Sequence, residues 1–238
     1  MGWLSRIGKQ AAKDADLVPA KNKLVGGTPE ARLRAIEQGF DVETPLYHGT
    51  AADFEAFDPR LRGMNDRLAD DSRLAHFFST SPDIASQYAD EAAGGAARRR
   101  LGIDDGRAVP GDKKVWDQYD AEKRNGSSVM PVYARLKNPY VVTHIKEYDS
   151  DMVREALQYA EARNYDGVIF KGMNDALRRG ARPGDVYAVF DSQNIRGKFA
   201  AFDPSQSGSS KLLAAVPAAI GGGLLSRWAM MQNGDQYT

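Results

Sequence analysis

Apolar and polar side chains alternate with period two along Val129-Met130-Pro131-Val132-Tyr133-Ala134-Arg135-Leu136-Lys137, a run closed by Asn138-Pro139. That spacing sends successive side chains to opposite faces of an extended chain and predicts a strand. Shorter apolar runs at Pro45-Leu46-Tyr47, around Phe77-Phe78, at Gly167-Val168-Ile169 and along Val186-Tyr187-Ala188-Val189-Phe190 predict further strands. Helices are signalled between them. Thr28-Pro29-Glu30 through Gly39 has proline in the first turn and glycine at the end, the marks of a capped helix. A second helix is expected to begin near Pro82, and a third to span about 151 to 163. Strands interleaved with a few helices, without a regular βαβ rhythm, predict an α+β fold.

The same pattern divides the chain. Residues 1–27 form a weakly helical arm in which Trp3, Leu4, Ile7 and Ala11 make an apolar stripe beside Arg6, Lys9, Gln10 and Lys13. Such a stripe packs on its own domain or a partner more often than on a membrane surface. The domain proper takes residues 28–205. Within it, residues 91–128 turn polar and small (Gly94-Gly95, Arg98-Arg99-Arg100, Asp104-Asp105-Gly106, Asn125-Gly126-Ser127-Ser128) and are expected to be a partly helical insertion. Residues 206–238 form a tail whose stretch from Leu212 to Leu225 is uncharged for 14 residues. A spanning helix needs roughly 20, and Pro217 and Gly221-Gly222-Gly223 interrupt this one, so no membrane-spanning segment is expected.

Composition narrows the function. The 32 basic and 32 acidic side chains cancel, so no global field draws the chain to nucleic acid or to an anionic membrane. Arg98-Arg99-Arg100 stands among acids and reads as a solvated face, leaving no strong nucleic-acid signal. Without cysteine there is no disulfide, thiolate metal site or catalytic thiol, and a secreted disulfide-bonded protein is not expected. The start of the chain lacks the apolar core of a secretory signal. Three scattered histidines give no metal-ligand spacing, so no metal site is expected.

The chemistry gathers in Tyr47-His48-Gly49-Thr50 and, about thirty residues on, in His76-Phe77-Phe78-Ser79-Thr80-Ser81-Pro82 followed by Tyr88. A histidine at a strand terminus offers its ring nitrogens, and Gly49 permits close approach to the backbone. Phe77 and Tyr88 would close over the two faces of a flat ring, best a cationic one bearing an amide. Phe78, pointing the other way, is expected in the core, and His76 and His144 are expected to be structural.

Over residues 44–205 the chain resembles the ADP-ribosyltransferases of the diphtheria-toxin and poly(ADP-ribose) polymerase type. Within them it is most similar to the ADP-ribosyltransferase-like domains of phage and mobile-element polyvalent proteins. The resemblance rests on Leu46-Tyr47-His48-Gly49-Thr50, on Phe77 through Ala89, and on Val186-Tyr187-Ala188-Val189-Phe190-Asp191. Tyr165-Asp166-Gly167-Val168-Ile169 and Gln193-Asn194-Ile195-Arg196 support it. It implies an ADP-ribosyltransferase fold of two packed, mostly antiparallel sheets with flanking helices. It also implies NAD as substrate, transfer of a single ADP-ribose to a host protein or other macromolecule, and a place in a phage virion or the host cytoplasm. In relatives the first-motif histidine bonds the nicotinamide ribose and the following glycine holds the carboxamide; those positions are His48 and Gly49, with Thr50 beside them. The second-motif tyrosine stacks on the ring and an aromatic eleven residues earlier covers its other face, positions filled by Tyr88 and Phe77, with Ser79 in the same motif.

At the third motif the chain departs. Relatives place a catalytic glutamate where Val186 stands, and losing one preorganised electrostatic partner costs on the order of 3 kcal/mol, a hundredfold or more in rate. Asp185 is the nearest carboxylate, but strand alternation sends 185 and 186 to opposite faces unless a bulge follows Pro183-Gly184. Three alternatives stand. Asp185 replaces the glutamate; or transfer proceeds weakly, because the cationic nicotinamide leaves readily once oriented; or the fold is silenced and serves as a virion structural, ejection or interaction protein, with residues 1–27 and 206–238 meeting virion partners. Chain polymerisation is the least expected activity. Residues 53–73, rich in Asp and Arg, are expected to form a substrate-facing loop.

Overall fold

Thr28 caps the first helix with its hydroxyl, which accepts the Ala31 N–H at 3.1 Å, and Gly39 at φ 84° turns the chain away after the last turn. Helix α1 (Pro29–Glu37) therefore lies where the sequence predicts it. The computed structural model describes residues 27–63, 71–103, 111–178 and 180–213. After α1 come β1 (Leu46–Thr50), β2 (His76–Ser79), α2 (Pro82–Leu101), α3 (Lys113–Gly126) and β3 (Ser128–Ala134). Then follow β4 (Pro139–Val142), α4 (Ser150–Ala162), β5 (Gly167–Met173), β6 (Gly184–Val189) and β7 (Ile195–Gly197).

The strands form one sheet in the order β4-β5-β6-β2-β1-β3-β7, antiparallel throughout except for β4 and β5, which α4 connects in parallel. The class is α+β, as the sequence predicts. Hydrogen bonding makes one sheet rather than the two implied by the resemblance, yet it has a narrow waist. Strand β1 pairs with β3 along five residues and β2 with β6 along four, whereas β1 and β2 meet at one pair, Tyr47 opposite Ser79.

Each face of the sheet has its own core. One gathers Val168, Phe170, Val186 and Ala188 under Val153, Leu157 and Ala160, the apolar stripe of α4. The other gathers Leu46, Phe78, Met130, Val132, Tyr187 and Val189 with Phe57 and Leu212. Alternation along β6, Val186 to one core and Tyr187 to the other, is what the period-two pattern requires. Phe78 is core, as expected, and His144 is exposed.

Two expected boundaries move. Gly94-Gly95 does not break α2, because the helix buries a small-residue face (Ala85, Ala89, Ala92, Ala93, Gly94, Ala97) that the bare glycine completes. A Cβ on Gly94 would meet the Tyr119 hydroxyl of α3 at 3.0 Å. The described part of residues 91–128 is thus the end of α2 packed against α3. At the other end the domain runs past 205: Leu212 is 2% exposed, donates its N–H to the Glu55 carbonyl at 2.7 Å and accepts the Gly197 N–H at 2.9 Å. The arm up to residue 26 and the tail after 213 lie outside the described residues. Among the described residues no helix is long and apolar enough to cross a membrane.

Arg196, in a stretch the resemblance uses only as a supporting motif, is the largest fully buried side chain among the described residues. Its guanidinium donates to the carbonyls of Ile195 (2.9 Å), Gln193, Gln206 and Ser207 (3.3 Å each), tying the turn at Pro204–Gln206 to β7. Burial, and then Arg135 beside it, bring its pKa down to about 10, so it stays charged at neutral pH. Arg196→Met is expected to leave these carbonyls unpaired and to lower stability by about 3 kcal/mol, measured by urea denaturation.

Candidate functional site

The ladder between β1 and β2 stops at Tyr47–Ser79, before His48 and Phe78 would pair, and a side chain takes over. His48 Nδ1 lies 2.9 Å from the Phe77 carbonyl oxygen. Its ring packs edge-on against Phe57 (5.0 Å) and tilted against Phe78 (5.5 Å), with Phe54 at 6.4 Å. Burial among these rings holds its pKa below the ordinary histidine value, opposed by the Phe77 carbonyl. The neutral ring carries its proton on Nδ1, toward that carbonyl, and Nε2 is left as an acceptor. His48 is the middle residue of β1 rather than its terminus, because pairing with β3 continues to Thr50.

Gly49 faces α2. A Cβ there would sit 2.0 Å from the Ala85 carbonyl oxygen and 2.4 Å from the Ala89 nitrogen, so the glycine admits a helix backbone, whatever else it admits. Thr50 and Ser79 are engaged locally: the Thr50 hydroxyl accepts the Ala52 N–H at 3.1 Å, and the Ser79 hydroxyl accepts the Ser81 N–H at 3.0 Å.

Because Tyr47 is opposite Ser79 and Ser79 opposite Val186, these residues share the face on which α2 packs. Phe77 belongs to that face, half-buried against the core that holds Val186. Tyr88, half-buried on α2, donates its hydroxyl to Asp175 Oδ1 at 2.7 Å. Phe77 and Tyr88 therefore lie on one side of the sheet, and the His48 ring on the other, joined to them through the Phe77 carbonyl.

The third motif carries no carboxylate on the Tyr88 side. Val186, 1% exposed, is a wall of the apolar core. No bulge follows Pro183-Gly184 in β6; the extra residue sits in β5, where Lys171 and Gly172 intervene between the pairs Phe170–Val186 and Met173–Gly184. Gly172 has φ 64°, a conformation that favours glycine and suits the bulge. Asp185 points to the opposite face and holds that bulge: Oδ1 accepts the Gly172 N–H at 2.9 Å and Oδ2 pairs with Lys171 Nζ at 2.6 Å, which raises the lysine pKa.

Asp175 is the residue that sequence reasoning misses. It lies 87 positions from Tyr88, and no local pattern announces the contact. Burial pushes its pKa up to about 6, against the Tyr88 hydroxyl and with help from nearby Asp71. Asp71, 2% exposed, accepts the Tyr148 hydroxyl at 3.0 and 3.2 Å and the Ser150 hydroxyl at 3.2 Å.

Within residues 53–73 the described portion roofs the other face with its aromatics and keeps Glu55 and Arg60 in solvent. Phe54 and Phe57 cover His48, and Arg62 reaches inward to His76 Nε2 (3.2 Å), the Leu74 carbonyl (3.1 Å) and the Phe190 carbonyl. Burial, then Arg62, lower the His76 pKa to about 3, so this ring is a neutral structural acceptor. Two cavities lie elsewhere: one of about 90 Å³ beside Asp41, Leu136 and Tyr187, and one of about 180 Å³ between α2 and α3 at Ala93, Ala97, Arg100 and Glu122. Among the described residues no three His, Cys, Asp or Glu side chains gather as metal ligands do. No protein-family model matches this chain, and neither does any curated protein or solved structure.

Proposed function

We propose that the chain is a nicotinamide-recognising, NAD-binding protein of the mono-ADP-ribosyltransferase type, with its site at the waist of the sheet. The one observation that carries the reading is the His48–Phe77 bridge where the ladder fails, with Tyr88 on the adjoining helix. Two aromatics on one side of the sheet suit a planar ring, and the His48 imidazole, on the other face, fixes the Phe77 backbone beside them. On this reading the sheet is an ADP-ribosyltransferase fold whose halves meet at β1 and β2. The reaction is transfer of one ADP-ribose to a host macromolecule, in the host cytoplasm or from a phage particle, with the arm and tail available to virion partners. A second reading, a silenced relative used for assembly or interaction, is favoured by Val186 in the core and by Asp185 bound to Lys171 and Gly172.

Calorimetric binding of NAD and nicotinamide release separate the two. Tyr88→Ala is expected to weaken NAD binding about tenfold through lost stacking, and His48→Ala to abolish release. Binding without release by the wild type would select the silenced protein, and no binding at all would remove both forms of the proposal. Val186→Glu is a poor rescue, because its carboxylate would enter an apolar wall.

A further inference from the structure

Tyr88 and Asp175 form a phenol–carboxylate pair between α2 and the segment after β5, at 2.7 Å. The groups facing Asp175 are Tyr88 of α2, Asp71 from the turn before β2 and Tyr148 from the segment before α4. The cation nearest in sequence, Arg178, is turned to Asp90 of α2 at 3.3 Å, and its backbone N–H is held by Gln87 at 2.7 Å. Among the described residues, no cation joins Tyr88 and Asp71 in acting on Asp175.

Resting on the nicotinamide site proposed above, we infer that Asp175 is a positioning and specificity residue: through Tyr88 it makes the site select a positively charged flat ring over a neutral one. An anion accepting a hydrogen bond from the phenol hydroxyl orients the tyrosine and enriches its ring, which strengthens cation–π stacking. The negative charge also attracts a pyridinium stacked on that ring, whereas it does nothing for free nicotinamide. The site would then hold NAD and release the neutral product after the glycosidic bond breaks. The carboxylate is ionised at pH 8 and largely neutral at pH 5, since burial has moved its titration to about 6.

The test compares 1-methylnicotinamide with nicotinamide by titration NMR on the full chain, at pH 8 and pH 5, for the wild type and Asp175→Asn. The wild type at pH 8 is expected to prefer the cation about tenfold, allowing for solvent screening. The preference is expected to shrink to about twofold or less at pH 5, and at both values in Asp175→Asn. The variant retains an acceptor for the Tyr88 hydroxyl, and a melting temperature at or above the wild-type value shows that it folds. Equal binding of both rings by the wild type at pH 8, or a preference unchanged in the variant, overturns the inference and leaves the ring site standing. Failure of either ring to bind the wild type overturns the site and the inference together.

Discussion

Gly49→Ala is expected to destabilise the domain by about 4 kcal/mol, well above the usual effect of adding one methyl group. The added carbon would fall 2.0 Å from the Ala85 carbonyl oxygen and 2.4 Å from the Ala89 nitrogen, two backbone atoms of α2 with no rotamer to change. The helix would have to move off β1 as a body, opening the contact along Ala85, Ala89, Ala92 and Ala93 that buries its small-residue face. Gly95→Ala is the matched control. There the nearest neighbour is the Arg99 side chain at 3.5 Å, and alanine in a helix interior is worth up to about 1 kcal/mol over glycine. Urea denaturation of the two variants should therefore move in opposite directions. Equal effects would mean that α2 is not held where the strand places it. The result bears on function as well, because lost NAD binding in Gly49→Ala would report a displaced helix and with it Tyr88, not a missing carboxamide contact.

Local chemistry made much of this architecture legible. Thr28, Pro29 and Gly39 delimit α1, Ser81-Pro82 opens α2, and alternation sorts β6 between the two cores and sends Met130 and Val132 of β3 to one face and Tyr133 to the other, against Phe40 and Phe202. The pattern misleads where the deciding partner is distant in the chain. Gly94-Gly95 looks like a break in isolation, but Tyr119 of α3 needs the space it leaves. The sequence offers Gly184 as the bulge glycine, but the register between β5 and β6 places the bulge at Gly172. That choice decides the fate of Asp185, which an eye on the third motif alone takes for a spare catalytic group. Leu212 begins an apolar run that resembles a tail, yet its backbone is tied to Glu55 and Gly197 and its side chain completes a core. Of the candidate site, His48, Phe77 and Tyr88 were identifiable as residues, whereas their division between two faces and the carboxylate behind Tyr88 are products of tertiary pairing.

Replacing Asp175 by Asn is expected to stabilise the protein at pH 7 by up to about 3 kcal/mol and to give it a new sensitivity to acid. The Asp175 pKa is raised from 3.8 to about 6 in the fold, so the folded state holds its proton more tightly than the unfolded state does. Its ionisation therefore opposes folding above pH 6, and that penalty is lifted as pH falls from about 6 to 4. His76 acts in the contrary sense. Its pKa is lowered from 6.5 to about 3, so below 6.5 the unfolded chain takes up a proton that the fold refuses, and up to about 5 kcal/mol is lost by pH 3. Between pH 6 and 4 each group contributes a slope of about 1.4 kcal/mol per pH unit, with opposite signs, and in the wild type they nearly cancel. Asp175→Asn removes one of the two. Urea denaturation at pH 7, 6, 5 and 4 should show the gain of the variant shrinking steadily and vanishing near pH 4, as the histidine slope appears unopposed. A gain independent of pH would place the stabilisation in packing rather than in ionisation, and no gain would mean that Asp175 is better solvated than its position between Tyr88 and Asp71 indicates. A half-buried carboxylate expected to weaken the fold at neutral pH and in contact with the proposed stacking tyrosine is better explained by what it does for a ligand than by what it does for stability.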